Sequence, residues 1–117
     1  MYLARLFTLV ILLAPEAALA ASRDRFTFTN DTGGPTNDLH IEFRSAVHVR
    51  RTAYPRVGGD GSSNIDLAGA QVAPAQSTSI AVTSSANAIR VQRWWWTLDG
   101  RQVGSVHRGC AGACTSP

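Results

Sequence analysis

The chain has 117 residues, two cysteines and a formal net charge of +3, with 44% of residues hydrophobic and 16% charged. That length holds one core and is too short for two. All eleven basic residues are arginines, a bias attributed first to genome composition. The excess is modest and interspersed with acids, which argues against a nucleic-acid binder and for a solvated arginine face.

Arg5 supplies a positive start, Leu6 to Ala14 an apolar run, and Pro15 to Ala20 a breaker followed by Ala18-Leu19-Ala20. This is the three-part pattern of a secretory leader. The apolar run is short of the roughly 20 residues that cross a bilayer. Residues 1–20 are therefore expected to be a cleaved signal peptide, and residues 21–117 a single secreted or periplasmic domain with no transmembrane segment; 117 less 20 leaves 97 residues.

Phe26-Thr-Phe-Thr-Asn30 alternates apolar and polar, so an opening strand buries Phe26 and Phe28. Asn30 to Asp38 collects turn-forming residues and is expected to be a surface loop, with Asn30-Asp31-Thr32 matching a glycosylation acceptor in a eukaryotic host. Leu39, Ile41 and Phe43 then share one strand face, and His40, Glu42 and Arg44 the opposite, wet one. Val47 and Val49 repeat the pattern, and a bend at Ser45 or Ala46 would make both runs one long strand closed by Pro55. Pro55 to Ala70 is expected to be a long loop carrying one short edge strand at Ile65 to Leu67. Pro74 to Ser77 marks a turn, and Ile80 and Val82 share a face of the next strand.

The stretch from Arg93 to Val106 contains all three tryptophans and Asp99-Gly100, the strongest short-range signal for a two-residue hairpin, because both central residues of that turn need positive φ. Pairing outward from it sets Leu98 against Arg101, Trp96 against Val103, Trp94 against Ser105, and Trp95 against Gly104. One feature of the strand leading into it conflicts with straight geometry: Ile89 and Val91 fall on the parity of Trp95, whereas Trp94 and Trp96 fall on the other. A bulge near Gln92 and Arg93, cover on both faces, or deliberate exposure of a tryptophan resolves this, the first two being preferred. No sustained helical stripe occurs. The rhythm of about seven short strands resembles small secreted immunoglobulin-like or fibronectin-like domains, which implies an all-β antiparallel sandwich. The resemblance rests on strand rhythm alone and carries over no functional residue.

Candidate chemistry is sparse. Cys110 and Cys114 lie in an expected flexible tail, residues 107–117, and in an oxidising compartment would form a short-loop disulfide. With His107 they could instead take up copper or zinc, the alternative reading as a periplasmic metal-handling protein. Asp60, Asn64 and Asp66, with Asn30, Asp31, Asn37 and Asp38, offer oxygens for calcium but meet no known spacing; turn hydrogen bonding explains them as well. No nucleophile motif or phosphate loop is present, so no enzyme and no cofactor is expected. The expected function is a non-enzymatic interaction module for an envelope or extracellular glycan or protein, binding through Trp95, Arg93, His40, Glu42 and Arg44.

Overall fold

The computed structural model describes residues 22–110 and the backbone of Ala113 and Cys114. The leader expected over residues 1–20 and the Cys114 end of the expected disulfide lie outside the described residues. The described chain is all β. It comprises β1 (Ser22–Thr29), β2 (Thr36–Phe43), β3 (His48–Thr52), β4 (Arg56–Gly58), β5 (Asn64–Val72), β6 (Ser77–Ser84), β7 (Val91–Leu98), β8 (Arg101–Cys110) and β9 (Ala113–Cys114). One sheet has the order β3-β6-β1, antiparallel, with the two-residue β9 added parallel to β1 at its edge. The other is antiparallel with the order β4-β5-β2-β7-β8.

The two sheets share one core, as in a sandwich. Alternation puts Phe26, Phe28, Ile80 and Val82 on the inner face of the first sheet, and Leu39, Ile41, Phe43, Ile65, Leu67, Trp94 and Trp96 on that of the second; all are buried. The sheets meet edge-to-face at Phe26 and Phe43, with ring centroids 5.7 Å apart, and at Phe28 and Trp94, 5.0 Å apart.

Several expectations need correction. The run from Leu39 to Arg50 is two strands in different sheets. The chain crosses over between Phe43 and His48, where fully buried Val47 seals the corner and the Ser84 hydroxyl donates to the Ala46 carbonyl. The span from Pro55 to Ala70 is the β4-β5 hairpin with its turn, and β5 is an inner strand of nine residues. Only Ile65 to Leu67 was legible as strand; the alanines and glycine that follow hid the rest, because main-chain pairing on both sides sustains a strand that side chains advertise poorly. The loop after β1 is shorter than expected, since β2 starts at Thr36, and Asn30 is fully buried. At the other end, residues 107–110 continue β8 and are no tail.

The hairpin forms at Asp99 and Gly100, with φ of 50° and 84°, and pairs Leu98 with Arg101, Thr97 with Gln102 and Trp96 with Val103. Beyond that the expected register fails: Trp94 faces His107, so Gly104, Ser105 and Val106 bulge opposite Trp95 alone. Gly104 does make room, but for Thr32. Its φ is +74°, and a Cβ there would come within 2.9 Å of the Thr32 methyl. The parity conflict in β7 is resolved by a bulge at Gln92, because Glu42 pairs with Arg93 while Phe43 pairs with Val91. Val91, Trp94 and Trp96 are thereby all buried.

Three buried side-chain polar atoms have no partner among the described residues: Thr36 Oγ1, the Tyr54 hydroxyl and Trp96 Nε1. The Tyr54 side chain is buried and its hydroxyl has no partner among the described residues. Burial, reinforced by the Asp38 charge, raises its pKa far above the ordinary 10.0. The unfolded chain therefore loses this proton first, and the stability associated with the group is intact below pH 10 and falls as pH rises beyond it. Tyr54→Phe should leave stability at pH 7 unchanged or raise it by about 1 kcal/mol, and flatten the alkaline decline. Urea unfolding at pH 7 and at alkaline pH checks both, and a loss above about 1 kcal/mol at pH 7 would mean that the hydroxyl is satisfied.

Candidate functional site on the outer face of the larger sheet

Strand pairing decides what stands on this face. His40 lies on the central strand, β2, opposite Asp66 of β5 on one side and Trp95 of β7 on the other. Glu42 is paired with Arg93, and Asp38 with Thr97. These residues occupy the parity opposite to the core residues of their strands, so all project outward.

The contacts form two connected groups. His40 Nδ1 is 2.6 Å from Asp66 Oδ1, and His40 Nε2 is 3.0 Å from Thr97 Oγ1. The Thr97 hydroxyl donates to Asp38 Oδ2 at 3.1 Å. The His40 ring also stacks on the Trp95 indole, with centroids 5.3 Å apart and planes 12° from parallel. In the second group, Arg93 Nε donates to Glu42 Oε1 at 2.7 Å while its guanidinium lies 5.7 Å from the Trp95 ring centroid. The Glu42 hydrogen bond and charge hold Arg93 more firmly protonated than a free guanidinium.

Asp66, His40, Thr97 and Asp38 thus follow one another in a single hydrogen-bonded row across three strands. A carboxylate only accepts, and the Thr97 hydroxyl donates to Asp38 Oδ2 while its oxygen lies 3.0 Å from His40 Nε2. Thr97 is also 5% exposed. The network orients the imidazole, and through it the indole.

The structure thus joins four of the five residues expected to bind: His40, Glu42, Arg93 and Trp95. Arg44 stands apart, exposed beyond the end of β2, with its backbone N–H donating to the Arg90 carbonyl. Asp66 and Thr97 were missed. Thr97 shares the parity of Trp95 and could have been found; Asp66 fell in the expected short edge strand, whose pairing with β2 the sequence does not show.

The other candidates disperse. His107 stacks on Trp94, centroids 4.2 Å apart, and its Nε2 lies 3.2 Å from Asp31 Oδ2, while Cys110 packs half-buried against the core. The Cys114 side chain is outside the described residues, and no group of three metal-ligating side chains occurs among those described. Of the oxygens considered for calcium, Asn30 is buried, Asn37 Nδ2 donates to Asp99, and Asp60 accepts from the Val49 N–H. The Asn30 amide nitrogen donates to the Gly34 and Val72 carbonyls, so the folded domain does not present it for glycosylation.

Comparisons with protein-family models, with characterised proteins and with solved structures return no match to this chain.

Proposed function

We propose that this chain is an exported, non-enzymatic interaction module that engages a protein surface through the outer face of its larger sheet. The observation that carries the reading is the setting of Trp95. Its two neighbours in sequence are core residues, whereas Trp95 stands half-buried on the outer face, braced by His40 and flanked by Arg93. Tryptophan and arginine held rigid among satisfied polar groups are the residue types that dominate protein interfaces. A glycan is the runner-up, since a sugar ring requires an open indole face and His40 already occupies one.

Export is supported by the leader pattern, with cleavage after Ala20 and an oxidised Cys110–Cys114 bridge in the mature protein. An immunoglobulin-like classification draws support from strand order. The sets β3-β6-β1 and β2-β7-β8 follow the D-E-B and C-F-G orders of that fold, the β4-β5 hairpin extends the edge at β2, and β9 takes the edge where a first strand would lie.

The test uses Trp95→Ala beside the wild-type domain. A captured extracellular protein should bind the variant about 30-fold more weakly, the equivalent of a 2 kcal/mol anchor, while the melting temperature shifts by only a few degrees. Unchanged capture, or binding of a neutral glycan that the substitution abolishes, would overturn the reading.

A further inference from the structure

The smaller sheet presents its own outer face, and its chemistry differs. Register places Arg25, Ala81 and Arg51 in one row across β1, β6 and β3, and Arg23, Thr83 and His48 in the row beside it. Arg51 reaches this face because of a bulge. Val49 pairs with Val82 and packs against the core, so strict alternation would turn Arg51 inward; the extra residue, Arg50, resets the parity and pairs Arg51 with Ala81. Neighbouring strands lie about 4.8 Å apart, so Arg25 and Arg51 leave the sheet about 10 Å from each other across the small alanine. Arg23, Arg25, Arg50 and Arg51 line a groove of about 560 Å³ floored by Ala81 and Thr83.

None of the four exposed guanidinium groups makes a hydrogen bond or ion pair among the described residues. Asp24 lines the same groove and accepts the Arg25 backbone N–H, and Asp60 nearby accepts the Val49 N–H, so the four arginines outnumber the single carboxylate of the lining. By contrast, Arg93 on the other sheet is paired. Four guanidinium groups without a side-chain partner around one groove are suited to oxyanions, which arginine binds in a forked geometry that lysine cannot reproduce.

We infer that this groove binds an anionic polysaccharide, gripping its sulfate or carboxylate groups between Arg25 and Arg51. The floor and flanks favour that class over single-stranded nucleic acid. They carry hydroxyls, with Thr27 bonded to Ser79 and Thr29 to Ser77, and no aromatic ring on which a base would stack. The site lies on the opposite side of the domain from Trp95 and does not depend on the function proposed for that face.

Dextran sulfate is a suitable probe, with binding followed calorimetrically over a series of salt concentrations. The wild-type domain should bind it, and the double variant Arg25→Ala/Arg51→Ala should lose about tenfold or more at low salt, with the log-log salt slope reduced by about two as two counterion-releasing contacts disappear. Arg101→Ala/Arg108→Ala removes the same charge from exposed positions on β8 of the other sheet and should bind within about twofold of wild type. Equal losses in the two double variants would reduce the effect to net charge and overturn the site. Tighter binding of a single-stranded oligonucleotide or of anionic phospholipid vesicles than of dextran sulfate would overturn the polysaccharide assignment. Melting curves of both variants should match wild type, since none of the four side chains contributes to the core.

Discussion

Trp94→Ala should cost about 3–5 kcal/mol, a large part of the 5–15 kcal/mol that holds a domain of this size together, and lower the melting temperature by roughly 15–30 °C. Trp94 is 1% exposed and is the hub of an aromatic cluster: Phe28 edge-on at 5.0 Å, Trp96 edge-on at 6.0 Å and His107 stacked at 4.2 Å. Removal opens a cavity between the sheets that main-chain pairing on both sides of β7 prevents from collapsing. Trp95→Ala is the internal control. It deletes the same side chain one residue on, from the opposite face, and should cost less than about 1.5 kcal/mol because only one side of the ring is packed. Denaturant unfolding of both variants measures the contrast, and similar losses would mean that the two indoles are not divided between core and surface.

Asn30→Asp should be nearly as damaging, although it changes a single atom. The Asn30 amide nitrogen donates to the Gly34 and Val72 carbonyls at 2.8 and 2.9 Å, and its oxygen accepts from the Thr32 N–H and hydroxyl at 3.0 and 2.8 Å. Its backbone pairs with Gln76 and Ala75 across the turn that follows β5. The carboxylate would keep the acceptor but face two carbonyl oxygens with a third, inside a site that is 0% exposed. An uncompensated buried charge of this kind costs about 3–5 kcal/mol, against about 2–3 kcal/mol for Asn30→Ala, which loses the bonds without adding charge. The aspartate variant also carries a pH signature. Burial raises its carboxyl pKa in the folded state, so its deficit should shrink as pH falls and the group is protonated. Urea midpoints across the acid range would show this, and a deficit independent of pH would exclude a buried carboxylate as its cause.

The local features of the fold were legible because they depend on neighbours in sequence. Period-two alternation placed Phe26 and Phe28, Leu39, Ile41 and Phe43, and Ile80 and Val82 correctly on inner faces, and the positive φ demanded at Asp99 and Gly100 located the hairpin. Even the bulge at Gln92 announced itself, as a clash of parities between Val91 and Trp94. Strand β5 did so only at Ile65 to Leu67, because the alanines and glycine beyond satisfy a paired backbone as well as valine does while giving no pattern. The candidate site was half visible for the same reason. His40 and Glu42, or Arg93 and Trp95, can be placed on one face of their own strand, but Asp66 joins His40 only through the pairing of β5 with β2, 26 residues away. Sequence proximity does not decide the arginine groove either: Arg56, close to Arg50 and Arg51 in the chain, went to the edge of the other sheet, and Arg23 and Arg25 stand beside them.

By itself, the amino-acid order determined that the chain would form strands, which side chains each strand would bury, and where the last hairpin would turn. These follow from two-residue periodicity and from dihedral limits, both properties of a few consecutive residues. Only the tertiary structure decided which sheet each strand joined, where one inserted residue at Arg50 reversed a face, and hence which arginines and which indole came to stand together in solvent. Those outcomes depend on hydrogen bonding between segments far apart in the chain, where a shift of one residue exchanges inside for outside.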